Sequence, residues 1–229
     1  MRRRDFVTGS LLCLPMTAAR AEAGSRPVVL ELFTSQGCSS CPPADSLLGE
    51  LTRQPGVIGL AWHVDYWNSL GWRDPYARSE WTDRQRAYAS RLGDEVYTPA
   101  MVVNGATMVV GSDKSAVYQA ISHAVPLSVP VTLRRTNAGM EAEIGPGASS
   151  LSGLLVSYDP MQTTEVGAGE NRGRRLFDYR VVREVVPVDR LSLQLKLPLA
   201  SATRGAILLI KDTSMQIVGA TDLPPVAAA

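Results

Sequence analysis

Residues 28–33, Val-Val-Leu-Glu-Leu-Phe, form an apolar run interrupted only by Glu31, the pattern of a strand covered on both faces. Residues 44–53 change the period: Leu47, Leu48 and Leu51 fall on one side of a helix, and Pro42 and Pro43 fit only its opening turn. Gly56 closes that unit, and residues 57–64 are again a strand pattern. Asp74-Pro75 supplies an N-cap followed by proline at the first helical position, which predicts a helix to about Leu92, stopped by Gly93. Thr98-Pro99 leads into 100–103, the Asn104-Gly105 turn and 107–110, a strong hairpin signal. Ser112 is placed to cap a further helix to about Ala124, with Val117, Ala120, Ile121 and Ala124 at helical spacing. The predicted order is strand, helix, strand, helix, strand, strand, helix.

Pro126 and Pro130 mark a change in pattern, after which the period of two dominates. Strands are expected at 129–135, 140–144, 153–158, 180–186, 191–197, 206–210 and 216–221, with the clearest alternation in Leu191-Ser192-Leu193-Gln194-Leu195-Lys196-Leu197. The chain therefore reads as an α/β unit at 26–125 followed by a smaller, mainly-β, sandwich-like domain at 126–223. Its 229 residues have room for one full domain and a smaller one.

Residues 1–23 carry the marks of an export signal: Arg2, Arg3 and Arg4, an apolar stretch to Met16, and Ala19-Arg20-Ala21 or Ala21-Glu22-Ala23 as a small-x-small cleavage site. Arg3-Arg4-Asp5-Phe6-Val7 fits a twin-arginine leader as well as an ordinary secretory one. Either places the mature protein in the periplasm or outside the cell. Losing residues 1–23 moves the formal net charge from +1 to about −1, which argues against a nucleic-acid or anionic-membrane partner. No later stretch reaches the roughly 18 apolar residues of a membrane span.

Of three cysteines, Cys13 lies within the leader, so the mature chain keeps one pair, in Gly37-Cys38-Ser39-Ser40-Cys41-Pro42. A strand that runs into C-x-x-C at the start of a helix is the sequence form of a thioredoxin-like redox site. Two sulfurs three residues apart close a small disulfide ring, and a helix N-terminus lowers a thiol's pKa. With Thr98-Pro99 standing where thioredoxin-like proteins place a cis-proline before their hairpin, the first 125 residues resemble a thioredoxin-like domain. The resemblance extends to a family of bacterial exported proteins classed as a domain of unknown function. It is carried by residues 31–45, by Trp62-His63-Val64-Asp65-Tyr66-Trp67-Asn68, by Tyr97-Thr98-Pro99, and by Gly169-Glu170-Asn171-Arg172-Gly173. It implies a thioredoxin-like fold with an appended C-terminal region, and no substrate.

On this reading the protein is an exported thiol–disulfide oxidoreductase whose partners are protein thiols or disulfides, with no cofactor. Cys38 is the candidate nucleophile, expected to be the more exposed sulfur, and Cys41 the resolving thiol. A structural disulfide is the alternative, although a four-residue loop closes little chain entropy. Thioredoxins carry a buried acid beneath the pair at nearly the position of Glu31, which implies a general base there; the alternatives are a partly wet strand edge or an arginine partner. Thr98 and Pro99 are expected to present backbone to a bound partner. Trp67 and Trp72 either wall the partner groove or simply pack their loop onto the domain. The glycine-rich basic loop 167–175 reads as a solvated turn or a contact with the α/β unit. Two further classes remain: a non-catalytic partner-binding module on the same scaffold, and a periplasmic copper chaperone pairing both thiolates with His63 or His123. A zinc site has too few ligands.

Overall fold

The computed structural model describes residues 27–146, 150–188, 191, 194–197 and 202–226. The export signal expected at 1–23 lies outside the described residues, as do Ser192 and Leu193 of the strand expected at 191–197.

The first half follows the predicted order: β1 Val28–Thr34, α1 Pro42–Leu51, β2 Val57–His63, α2 Ser79–Leu92, β3 Ala100–Val103, β4 Thr107–Val110 and α3 Lys114–Ser122. Strand β1 is central, parallel to β2 and antiparallel to β3. Both its faces are covered: Leu30 and Leu32 pack with Leu47, Leu48 and Leu51 of α1 and Val117 of α3, while Val29 and Phe33 pack with Trp81 and Tyr88 of α2. That two-sided burial is why its sequence is an apolar run, and each buried leucine is worth about 2 kcal/mol. Asn104 and Gly105 adopt φ of 48° and 63°, the left-handed pair a two-residue hairpin turn demands.

Two helix starts differ from expectation. Asp74 does not cap α2; its carboxylate is already bonded to His63 and to the Gln36 and Tyr76 N–H groups, and the helix begins four residues later from extended Arg78. Helix α3 is capped by Asp113 instead of Ser112, Oδ1 accepting the Ala116 N–H at 3.0 Å.

The second half is mostly strands: β5 Val131–Thr136, β6 Gly139–Ile144, β7 Ser152–Glu165, β8 Arg175–Val188, β9 Gln194–Leu197, β10 Gly205–Lys211 and β11 Ile217–Leu223. They do not form a separate sandwich. Four of them extend the first sheet, whose order is β11-β10-β7-β8-β2-β1-β3-β4, and only β5, β6 and β9 make a second. The junction is β8 against the edge of β2, at Ala61 and Val181. Arg180 reinforces it, bonding the Gly59 carbonyl at 2.9 Å and pairing with Asp222. Without β8, strand β2 would present an open row of backbone groups.

Strands β7 and β8 are each 14 residues long, about twice the expected length. Their outer halves pair with each other from Asp159 and Val181 to Glu165 and Arg175. The outer segment of β7, Asp-Pro-Met-Gln-Thr-Thr-Glu, carries no apolar alternation because beyond Asp159 its residues are exposed or half-buried; Thr164 there accepts from the Gln36 amide at 2.9 Å. Tyr179 of β8 lies against Gly49 of α1, where an added Cβ would be 2.7 Å from its ring.

Candidate functional site

Cys38 and Cys41 form a disulfide with Cα atoms 5.5 Å apart, at the end of β1 and the beginning of α1. Cys41 is the N-cap residue of the helix, and Pro42 and Pro43 occupy its first two positions. The prolines fix the first turn but remove two of the free N–H groups that would otherwise favour a thiolate. Both cysteines are fully buried, contrary to the expectation of an exposed Cys38; the serines between them are exposed. Residues 166–174, between β7 and β8, are bonded to the backbone around the pair: the Asn171 amide donates to the carbonyls of Gln36 and Cys38, both at 2.9 Å, and the Glu170 carboxylate accepts the Ser39 N–H at 3.0 Å.

Four of the expected site residues gather here. The Thr98-Pro99 bond is cis, and Pro99 flanks Gly111 beside Ala44 of α1. The Trp67 indole donates to Thr98 Oγ1 at 2.8 Å and its Cβ lies against Gly37. The Trp72 indole donates to Gln36 Oε1 at 3.1 Å.

Glu31 does not join them. It points to the α2 face of β1, opposite α1, where Arg84 binds it through two nitrogens at 2.7 and 3.0 Å and the Tyr88 hydroxyl donates at 2.6 Å. The expected general base is thus a buried structural carboxylate. Strand alternation puts its neighbours Leu30 and Leu32 on the α1 side and Glu31 on the other.

Other buried acids adjoin the cysteine loop. Asp45, one turn after Cys41 and buried, accepts the Thr34 hydroxyl at 3.1 Å through Oδ2; its Oδ1 has no partner among the described residues. Burial, then the Asp178 carboxylate, push its pKa up to about 8, against the opposing pull of His63 and Thr34. His63, at the end of β2, meets Asp74 at 2.7 Å through Nδ1, while Nε2 is buried and has no partner among the described residues. Burial works against its charge, but Asp74, with Asp178 and Asp45 beyond, outweighs it and raises the pKa to about 9. Asp74 is the ionised partner: burial raises its pKa, yet His63 and the N–H groups of Gln36 and Tyr76 bring it below the ordinary value. Asp178, bonded at 2.6 Å to the Gln36 amide, is raised by burial. Gln36, directly before Gly37-Cys38, joins this cluster to the loop: its N–H donates to Asp74, its amide to Asp178 and Thr164, and its carbonyl accepts from Asn171.

Asp45, Asp74, Asp178, Gln36 and Asn171 were not expected at the site from the sequence, Asp74 having been read as a helix cap, and His63 was considered only as a copper ligand. Signals existed for two: Asp45 stands four residues after Cys41, and His63 is a lone ionisable residue within an apolar strand. His123 lies far along the chain at the C-cap of α3. A copper-binding role for His63 meets the difficulty that its ring is charged near neutral pH and so lacks the lone pair a metal needs.

The chain is similar to the protein AGR_C_4864 of Agrobacterium tumefaciens, whose crystal structure superposes with a TM-score of 0.78 at 32% identity, covering 91% of this chain and 98% of that one. HBP35 of Porphyromonas gingivalis shares the fold at a TM-score of 0.59 and 14% identity, over 90% of this chain and 79% of that one. No curated protein matches the sequence. No helix among the described residues is long and apolar enough to cross a membrane. The model of the protein family of unknown function DUF1223 matches residues 29–211, and the chain belongs to that family.

Proposed function

We propose that this protein is an exported thiol–disulfide oxidoreductase on a thioredoxin-like scaffold, acting on protein thiols or disulfides through Cys38 and Cys41. The observation that carries the reading is the buried set of Asp45, His63, Asp74 and Asp178, linked through Gln36 and the start of α1 to the loop that carries the disulfide. A pair that only stapled four residues would add little stability and has no use for groups that cost several kcal/mol each to bury. A pair that exchanges does need them. When an incoming thiolate bonds to Cys38, the Cys38–Cys41 bond breaks and its electron pair leaves on Cys41, which then takes a proton. The Asp45 carboxyl, protonated near neutral pH and one turn away, is the group suited to give that proton and to take it back when the disulfide re-forms. The cis Thr98-Pro99 backbone and the Trp67 and Trp72 rings border the same loop and supply its partner-facing rim.

The competing reading, a partner-binding module with an inert disulfide, rests on the complete burial of both cysteines. Equilibration with glutathione buffers separates the two. A potential between about −120 and −230 mV marks an exchanging pair, and a disulfide still closed below about −300 mV marks a staple and overturns the proposal.

A further inference from the structure

The loop at the end of the β7–β8 hairpin is tied to the backbone of the cysteine loop by specific contacts. The ladder ends at Glu165 and Arg175, and residues 166–174 close on themselves through Val166 N–H to the Arg174 carbonyl at 2.9 Å and Gly173 N–H to the Val166 carbonyl at 2.7 Å. Asn171, at its tip, is fully buried. Its amide nitrogen serves the carbonyls of Gln36 and Cys38, and its oxygen accepts from Arg174 at 2.7 Å. The Trp72 ring lies against Gly167, and the Trp72 Cβ and backbone nitrogen lie against Gly169. Gly169 and Gly173, with φ of 71° and 79°, flank the tip in conformations that glycine adopts at no cost.

A nucleophile displaces a disulfide sulfur along the S–S axis and must reach it first. With both cysteines buried, no such path exists in the closed arrangement. We propose that residues 166–174 are a built-in strap, latched by Asn171, and that the Cys38–Cys41 pair reacts only after the strap lifts. This rests on the thiol–disulfide reading of the pair for its purpose. Lifting exposes the sulfurs and frees the carbonyls of Gln36 and Cys38. These are the acceptors that N–H donors flanking a partner's own cysteine would take, so the strap occupies the place of a bound polypeptide.

The test is the rate at which an uncharged phosphine, tris(hydroxypropyl)phosphine, reduces the oxidised protein. Phosphorus bonds to one sulfur as the S–S bond breaks, and the other cysteine leaves as a thiolate that takes a proton. Water then displaces the first sulfur from phosphorus, so two thiols and the phosphine oxide result; the disulfide gains the two electrons that phosphorus loses. Asn171→Ala removes both of its bonds to the cysteine loop, leaving the Gln36 carbonyl without its donor and the Cys38 carbonyl with only the Cys41 N–H, and is expected to speed reduction roughly 10- to 30-fold. Glu170→Gln, at an exposed position that does not threaten folding, weakens a single charge-assisted bond and is expected to give roughly three- to fivefold. For local opening, the wild-type rate stays flat in urea well below the unfolding midpoint. Rates equal to wild type in both variants overturn the strap, as does a wild-type rate that climbs with urea along the global unfolding slope. Reduction by phosphine is irreversible, so this result stands apart from the glutathione potential. Equal rates with an exchangeable potential sink the strap alone; a pair that glutathione cannot reduce sinks the oxidoreductase reading, and the rate ratio still decides the strap.

Discussion

Asp45→Asn removes one ionisable proton from beside the cysteine loop while preserving the shape of the side chain and an oxygen for the Thr34 hydroxyl. In the folded protein the Asp45 carboxyl titrates at about 8, and its ordinary value is 3.8. Between those values the folded state holds a proton that the unfolded chain has released, so stability falls as pH rises, by about 1.4 kcal/mol per pH unit. His63, titrating at about 9 against an ordinary 6.5, acts in the same direction: its stabilisation is complete below 6.5 and is lost on the way to 9. Asp74, whose pKa is lowered, loses its contribution only as pH falls below the ordinary carboxylate range. The window from pH 5 to 6.5 therefore isolates the raised carboxyls, and Asp178, raised by burial, remains in the variant. Across it, wild-type protein is expected to lose about 2 kcal/mol more than Asp45→Asn. Urea unfolding of the oxidised proteins at three pH values, with linear extrapolation, measures this difference. Slopes agreeing to within about 0.3 kcal/mol per pH unit would refute the reasoning, because Asp45 would then be ionised in the fold like a surface carboxylate.

Glu31→Ala is expected to cost about 3–5 kcal/mol in urea unfolding, since it strands the buried Arg84 guanidinium and the Tyr88 hydroxyl, yet to leave the Cys38–Cys41 reduction potential in place. A shifted potential would return Glu31 to the redox site. Gly49→Ala presses a methyl group into the Tyr179 ring and should destabilise by about 1–3 kcal/mol; a neutral result in thermal unfolding would mean that β8 does not bear on α1 there.

What the sequence by itself determined is local. The apolar run of β1, the helix opened by two prolines, the Asn104-Gly105 turn and the single cysteine pair depend on neighbours within a few positions, and each forms where its pattern places it. The cis-proline and both tryptophans also converge on the cysteine loop, because the strand–helix order leaves their connections at one end of the sheet. Caps were less legible, since the same aspartate can cap a helix or pair with a histidine, and Asp74 is engaged by His63 eleven residues away. Which buried acid adjoins the cysteine loop depends on packing between elements far apart in the chain. Alternation along β1 separates Glu31 from Leu30 and Leu32, but which face receives α1 depends on how the crossover packs. The same holds for the cover of the site. Asn171 reaches Cys38 across 133 residues, at the tip of a hairpin whose outer half is polar, and β8 joins the first sheet only because β2 offers it an open edge. Hydrogen bonds and buried charges are satisfied by whatever the fold brings near, and that proximity leaves no periodic mark along the chain.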